Sequence, residues 1–251
     1  MSKTVLITGA STGFGRDTAE TLARAGYTVF ASMRNLEAQN RDHAQALRKQ
    51  GIEVVELDVS SDTSVDQAVK AVLAHVRRID VLVNNAGIAS AGVTEAFTPD
   101  QAKVVFNTNV VGLLRTIRSV LPAMRRQGDG LIINIGSILG RVTFPFFGIY
   151  GASKFAVEAL TDSLRYEVSQ LGIDHVYKCS AAGRHRPDNG IRSGRRDSGR
   201  HVRAIHNDVS GAQPPKPPRR RRGYRKARGA TQGQPPCAHR GRCTIRLRCR
   251  E

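Results

Sequence analysis

Short apolar runs alternate with longer amphipathic stretches over about the first 177 residues. The short runs are rich in β-branched residues and are typical of buried strands, at residues 4–8, 28–33, 53–57, 80–83 and 131–135. Apolar residues recur at helical spacing from Phe14 until Gly26 closes the first helix, and again at 62–76. A polar helix is predicted at 36–49 and a long helix at about 99–126. This alternation predicts an α/β fold, a doubly wound parallel sheet with helices on both faces and ligands outside the carboxyl ends of the strands.

The composition changes sharply after residue 177. Residues 178–251 contain 21 Lys or Arg and four acids, so they carry almost all of the net charge of +18. They also hold all four Cys and seven of the ten Pro, but none of the eight Phe. Because such a stretch buries too little apolar surface to offset its ordering entropy, we predict a folded domain at 1–177 and a basic, disordered tail at 178–251.

The tail begins where a sixth strand would extend the sheet. Residues 175–180 start like a strand, and the apolar pattern then ends. We therefore expect the C-terminal strands to be missing or degraded and the fifth strand to be an exposed apolar edge. Such an edge predicts poor solubility and weak or absent activity.

Three interpretations of the tail stay open. The Pro- and Arg-rich run at 214–222 could bind nucleic acid or an anionic surface, although it lacks interleaved aromatics for base stacking. Cys237, Cys243 and Cys249 with His239 could bind a metal, but their six-residue intervals differ from those of structural zinc sites. An excess of Arg, Gly, Pro, Ala and Cys is also what GC-rich DNA encodes out of frame, and we favour this third interpretation.

A glycine-rich turn joins the first strand to the first helix. Gly9, Gly13 and Gly15 permit a tight turn and close backbone approach, and the helix N-terminus offers free N–H groups. Turns and helix caps also use glycine, but the position directly after the first strand favours a binding role. The order of strand, turn and helix predicts a site for the pyrophosphate of a dinucleotide.

Tyr150 and Lys154 are four residues apart, so they share one face of a helix. A phenol normally titrates near ~10, and a neighbouring cation favours the phenolate and lowers that pKa. The pair therefore predicts proton transfer to and from an oxygen. Ser137 lies thirteen residues before Tyr150, directly after the fifth strand.

Taken in order along the chain, these motifs resemble the short-chain dehydrogenase/reductase family over about residues 3–176. The resemblance rests on the glycine turn, on the run 84–87, and on Asn109, Ser137 and the pair at 150 and 154. It implies a Rossmann-type catalytic domain at 1–177. It also implies an oxidoreductase that transfers a hydride between NAD(P) and an alcohol or carbonyl compound.

The resemblance implies four catalytic residues. Tyr150 would act as acid in reduction and base in oxidation, while Lys154 would lower its pKa and hold the nicotinamide ribose. Ser137 would bind the substrate oxygen, and Asn109 would anchor a water in a proton relay. The implied cofactor-binding residues are Gly9, Ser11, Gly13, Phe14, Gly15, Arg34, Asp58, Asn85, Ala86, Gly87, Tyr150 and Lys154.

Three of these residues also have structural alternatives. Asn109 could bond its own helix backbone instead of a water. Ser137 could cap the turn that follows the fifth strand. Asp58 could be the N-cap of the next helix instead of a contact to the adenine.

The end of the second strand bears on the choice between NAD and NADP. An acidic residue there would bond the ribose 2′-OH of NAD, but this chain has Met33 followed by Arg34. A guanidinium can grip a 2′-phosphate. We therefore predict NADP(H) as the cofactor, with NAD as the alternative.

A dense apolar loop separates Ser137 from Tyr150. If it faces a pocket, the substrate is a lipophilic alcohol or carbonyl compound, but these residues could equally belong to the core or to a subunit interface. The apolar members of the loop are Val142, Phe144, Pro145, Phe146, Phe147 and Ile149.

The sequence also suggests a location and partners. It shows no secretory signal and no apolar run of membrane-spanning length, so we expect a cytoplasmic protein that acts on a small molecule without a membrane partner. The family resemblance implies a homo-oligomer, and nucleic acid is not expected as a partner. The alternative function is that of a catalytically impaired relative whose basic tail binds nucleic acid or anionic surfaces.

Overall fold

The computed structural model describes residues 2–180 and 195–211. Its centre is a six-stranded parallel sheet in the order β3-β2-β1-β4-β5-β6, which confirms the predicted doubly wound α/β fold. The strands are β1 Thr4–Ile7, β2 Thr28–Met33, β3 Glu53–Glu56, β4 Val81–Asn84, β5 Gly130–Ser137 and β6 Ile173–Ser180.

Seven α-helices connect and cover these strands within the described residues. They are α1 Gly13–Arg24, α2 Arg41–Arg48, α3 Asp62–Val76, α4 Pro99–Phe106, α5 Gly112–Gln127, α6 Gly148–Val168 and α7 Arg195–Gly211. Short 3₁₀ turns occur at Thr94–Ala96, Ile138–Gly140 and Ser169–Leu171. In this part of the chain, no helix is both long enough and apolar enough to cross a membrane.

Both faces of the sheet are buried, because successive strand residues point to opposite faces. In β1, Val5 and Ile7 pack into a core with α1, α2 and α7, whereas Leu6 packs into a second core with α3, α5 and α6. All three side chains are fully buried. Burial on both faces explains why the strands appear in the sequence as continuous apolar runs.

The single helix predicted at about 99–126 is interrupted in the structure. Helix α4 ends at Phe106, residues Asn107–Val111 form a π-helical turn, and α5 begins at Gly112. A Cβ at Gly112 would lie only 2.9 Å from the Cβ of Val59, so glycine lets the start of α5 approach the loop after β3. A π-turn inserts one extra residue into a helix and is frequent at functional sites.

The prediction that the C-terminal strands are missing is wrong for the sixth strand. Strand β6 pairs with β5 over eight residues, from Gly130 opposite Ile173 to Ser137 opposite Ser180. Strand β5 is therefore an internal strand and not an exposed edge. The pairing uses backbone groups, so β6 can form although its sequence is not continuously apolar.

The predicted disorder of residues 178–251 also fails at 195–211, which form helix α7. Ile205 and Val209 are four residues apart, so they share one helix face, and both are buried in the core beside α1. Lys3 Nζ donates a hydrogen bond to Val209 O at 3.1 Å, which ties the helix to the start of β1. Helix α7 therefore packs on the same core as α1, although it lies on the C-terminal side of residue 177.

The remaining tail predictions lie outside the described residues. They concern the basic run at 214–222, the Cys and His set between 237 and 249, and the disorder of 181–194 and 212–251.

Replacing Val209 with Asp is expected to destabilise the protein strongly. The side chain is 0% exposed, so the substitution places an unpaired carboxylate in the core, and we expect the free energy of unfolding to fall by about 3–5 kcal/mol. Chemical denaturation measures this change. Ser210→Asp adds the same charge at the exposed neighbouring position and should change stability by less than about 0.5 kcal/mol. Equal effects of the two substitutions would show that α7 does not pack on α1.

Candidate active site

The glycine turn lies between the end of β1 and the start of α1. Gly9 has a φ of +65°, and a Cβ there would lie 2.8 Å from Ala86 Cα. A Cβ at Gly15 would collide with the carbonyl oxygen of Gly9 and with Nδ2 of Asn85. Glycine is required at both positions, one for its backbone conformation and both for close approach. The turn leaves a cradle against the N-terminus of α1, where helix N–H groups favour anions.

Thr8 links this turn to the segment after β4, and it is not among the predicted site residues. Its Oγ1 accepts hydrogen bonds from the backbone N–H groups of Asn85 and Ala86, both at 3.0 Å. Asn85 Nδ2 in turn donates to the carbonyl oxygens of Thr8 at 3.0 Å and Gly9 at 2.9 Å. A threonine directly before the first glycine of the turn is the sequence signal that could have found it.

A cavity of about 390 Å³ opens at the carboxyl ends of β1, β2, β3 and β4. This volume is typical of small-molecule sites. Eight predicted cofactor-binding residues line it: Gly9, Ser11, Phe14, Arg34, Asp58, Asn85, Ala86 and Gly87. Its other lining residues were not predicted: Thr12, Met33, Gln39, Asn40, Leu57, Val59, Ile88 and Thr108. Gly13, Gly15, Tyr150 and Lys154 are outside this lining, and the two glycines shape the turn instead.

Asp58 forms part of the cavity wall and is not the cap of the next helix. The N-cap of α3 is Ser61, whose Oγ accepts from the Ser64 N–H at 3.2 Å. Oδ1 of Asp58 accepts hydrogen bonds from Ser60 Oγ at 2.6 Å and from Ser60 N at 2.8 Å. Burial alone would raise the pKa of Asp58, but these bonds and nearby Arg34 and Arg115 hold it below its usual value. Asp58 therefore presents a carboxylate to the cavity.

Asn109 lies in the π-turn, and its side chain bonds to other segments of the chain. Its Oδ1 accepts from the Ile88 N–H at 2.8 Å, and its Nδ2 donates to Ile88 O at 2.9 Å. Nδ2 also donates to Ser153 Oγ at 3.0 Å, and Ser153 Oγ donates to Tyr150 O at 2.7 Å. Asn109 is thus connected to the helix that carries Tyr150. Ser153, directly before Lys154, is a second site residue that was not predicted from the sequence.

Lys154 is buried beneath Tyr150 on α6. It is 6% exposed, its Nζ donates to Ile135 O at 3.0 Å, and the same atom lies 5.7 Å from the centroid of the Tyr150 ring. Burial lowers the pKa of Lys154 from its usual 10.5 to about 8. A Cβ on Gly87 would lie 3.8 Å from this Nζ and 3.2 Å from Asn109 Oδ1. The ammonium, the amide and the edge of the cavity therefore meet at Gly87.

Ser137 ends β5 and begins the 3₁₀ turn that packs beside α6. Its Oγ accepts from the Leu139 N–H at 3.2 Å, so the capping role considered for it is present. A hydroxyl has one donor and two acceptor sites, so capping is compatible with a bond to a substrate oxygen. The carbonyl oxygen of Leu139 lies 3.5 Å from the Cβ position of Gly151, which places this turn next to Tyr150.

The apolar loop between Ser137 and α6 is exposed. Val142, Phe144 and Phe146 are 41%, 56% and 61% exposed, which excludes a core role for these three side chains. Phe146 has a φ of +69°, an unusual conformation for a bulky residue, and its carbonyl oxygen accepts from the Gly92 N–H at 2.8 Å. The loop is thus held against the segment after β4, with the side chains of Phe144 and Phe146 facing outward.

Comparison with known proteins gives one consistent result. A family model described as short chain dehydrogenase matches residues 3–182. A 3-ketodihydrosphingosine reductase from Bacteroides thetaiotaomicron is 39% identical over 175 residues, which are 70% of this chain and 61% of that protein. Retinol dehydrogenase 8 from Homo sapiens is 39% identical over 176 residues, 68% of this chain and 56% of that protein. The chain thus spans less than two thirds of the length of these relatives.

Solved structures agree with the sequence relatives. A short-chain dehydrogenase from Streptomyces avermitilis has a TM-score of 0.70 at 33% identity, covering 83% of this chain and 84% of that one. An actinorhodin polyketide ketoreductase variant solved with NADPH has a TM-score of 0.67 at 34% identity, covering 71% and 69%.

Proposed function

The chain belongs to the short-chain dehydrogenase family, and from this premise we propose that it transfers a hydride between NADP(H) and an alcohol or carbonyl compound. The observation that carries the proposal is the meeting of Lys154, Asn109 and Gly87 beside the Tyr150 ring, at the edge of the cavity. A buried cation next to a phenol is an arrangement suited to proton transfer. The activity is testable as NADPH oxidation by the purified full chain in the presence of ketones and aldehydes.

The geometry of the site is suited to binding a dinucleotide. Side chains at Gly9 and Gly15 would fill the cradle, and the N-terminus of α1 can receive a pyrophosphate. Arg34 and Asp58 lie on the cavity wall away from the turn, where they would hold the adenosine part. When bound, NADPH supplies the hydride.

In the proposed reaction, four side chains transfer the proton and orient the substrate. Tyr150 donates its phenolic proton to the substrate oxygen in reduction and removes a proton from the alcohol in oxidation. The Lys154 ammonium stabilises the phenolate that forms. Ser137 orients the substrate oxygen through its hydroxyl, and Asn109 supports a proton relay towards solvent.

Arg34 supports NADP(H) as the preferred cofactor. It lines the cavity directly after Met33, its side chain is exposed to an incoming ligand, and no carboxylate occupies the end of β2. The ketoreductase relative solved with NADPH agrees with this preference.

Arg34→Gln is therefore expected to weaken NADPH binding by about tenfold or more while leaving NADH binding nearly unchanged. The substitution removes the guanidinium that would grip the 2′-phosphate. Titration of both cofactors against the variant measures the change. Arg41→Gln, at an exposed position on α2, removes the same charge and should alter neither affinity. Tighter binding of NADH than of NADPH by the unmodified chain would contradict the cofactor proposal.

Exposed aromatic side chains support a lipophilic substrate. Phe144 and Phe146 lie in the loop between the proposed catalytic residues Ser137 and Tyr150, where they can contact an apolar substrate. Two relatives are named for a sphingosine-type ketone and for retinol, which agrees with this proposal. Turnover that rises with the apolar chain length of a ketone series would support it, and equal turnover across the series would count against it. A homo-oligomer and a cytoplasmic location remain predictions from the sequence.

A further inference from the structure

Arg115 is a largely buried cation behind the wall of the cavity. It lies on α5, and its side chain is 14% exposed. Its Nε lies 3.2 Å from Oδ2 of Asp62, in the first turn of α3. One of its terminal nitrogens, Nη1, donates to Val59 O at 3.1 Å and to Asn107 O at 3.4 Å. One guanidinium therefore joins three separate segments of the chain.

Two of these segments form part of the cavity. Val59 and its neighbour Asp58 line it on the side of β3, and Thr108, which follows Asn107, lines it from the π-turn. Arg115 itself is outside the lining, so it does not contact a ligand there directly. Its hydrogen bonds instead fix the backbone on which the lining residues sit.

Gly112, on the same helix as Arg115, packs closely against Val59 in the cavity wall. The position of its missing Cβ is 2.9 Å from Val59 Cβ and 3.0 Å from Val59 O. Val59 is thus packed by Gly112 and hydrogen-bonded by Arg115, one turn apart on α5. Bonds from a charged donor are stronger than neutral ones, so Arg115 contributes substantially to holding this loop.

We propose that Arg115 is a positioning residue for the adenosine end of the cofactor, because it holds the Asp58–Val59 wall in the geometry that the nucleotide meets. The inference rests on the proposed function, since it assumes that this cavity binds NADP(H). A loose wall has to be ordered when the ligand binds, and that ordering lowers affinity. Arg115 also bonds Asn107 O in the π-turn that carries Asn109. The Asn109 side chain is held separately by its hydrogen bonds to Ile88 and Ser153, so we expect the main effect at the adenosine end of the cofactor.

The test compares ligands that represent the two halves of NADP(H). In Arg115→Met, which keeps an apolar stem but loses the donors, we expect the Kd for 2′,5′-ADP and the KM for NADPH to rise about tenfold. The Kd for nicotinamide mononucleotide and kcat should stay unchanged. Arg118→Met removes a charge from an exposed position of the same helix and should change none of these values.

Two further variants separate positioning from a general structural role. Asp62→Asn removes the ion pair but leaves the bond to Val59, so it should retain the affinity for 2′,5′-ADP. Gly112→Ala keeps the guanidinium but displaces Val59, whose carbonyl oxygen Arg115 bonds, so it should weaken 2′,5′-ADP binding in the same direction. It tests whether the position of this wall sets the affinity if Arg115→Met does not fold.

The possible results lead to different conclusions. An unchanged Kd for 2′,5′-ADP in folded Arg115→Met, or equal weakening of both half-ligands, would overturn the positioning role while leaving the proposed function intact. Failure of the unmodified chain to bind 2′,5′-ADP and NADPH would overturn the proposed function and this inference with it.

Discussion

Tyr150→Phe is expected to lower kcat by about 10²–10⁴-fold while leaving NADPH affinity nearly unchanged. The substitution removes the hydroxyl that would exchange a proton with the substrate oxygen, but keeps the ring beside the Lys154 ammonium. Cofactor titration and single-turnover measurement of NADPH oxidation separate binding from chemistry.

Tyr166 provides the matched control for this experiment. It lies on the same helix as Tyr150 and is 80% exposed, so Tyr166→Phe also removes a phenolic hydroxyl from α6. That variant should keep full activity. If Tyr150→Phe kept full activity as well, the acid–base role of Tyr150 would be wrong, and another group would have to supply the proton.

The strands buried on both faces could be predicted, because their burial leaves a direct trace in the sequence. Val5, Leu6 and Ile7 are all apolar since each meets one of two cores, and a continuous apolar run followed by glycines identifies both the strand and its role. The glycine turn was predictable for a related reason. A left-handed φ at Gly9 and the lack of space at Gly15 restrict the residue type at those positions.

The sequence contains weaker signals for the π-turn, strand β6 and helix α7. The extra residue in Asn107–Val111 shifts the helical period by one position, which a pattern of apolar residues over 99–126 does not resolve. Strand β6 depends on backbone pairing with β5, and that pairing is not visible in composition. Among the side chains of helix α7 that the structure describes, the buried apolar ones are Ile205 and Val209. Two such residues in a strongly charged segment gave too little signal.

The sequence predicted which residues form the candidate site better than it predicted the hydrogen bonds between them. Spacing along α6 places Tyr150 and Lys154 on one face, as the structure shows. The hydrogen bonds of Asn109 to Ile88 and Ser153 join segments far apart in the chain, and no local pattern encodes them. The same holds for the low pKa of Lys154, since it arises from burial by the complete fold.

Lys154→Met is expected to lower kcat/KM for reduction at pH 7 by about 10²-fold or more, because it removes the cation that stabilises the Tyr150 phenolate. In the unmodified protein the pKa of Lys154 is about 8, so kcat/KM should decline as the pH rises through 8 and the ammonium loses its proton. The kcat/KM of the variant should show no decline that depends on Lys154. The ratio of kcat/KM between the unmodified protein and the variant should therefore fall above pH 8. The pH dependence of kcat/KM measures both effects. Lys103→Met, at an exposed position on α4, should behave like the unmodified chain.

The same low pKa predicts a change in stability that can be measured without a substrate. Between pH 8 and 10.5 the unfolded chain keeps a proton on Lys154 that the folded chain has released, so folding stability rises with pH across this window and falls as the pH drops towards 8. Relative to Lys154→Met, the free energy of unfolding should rise by about 3 kcal/mol over that range. Denaturation curves of both proteins at several pH values provide the comparison. Parallel pH dependence of the two proteins would mean that Lys154 is solvated in the folded state, and the argument for a desolvated cation beneath Tyr150 would fail.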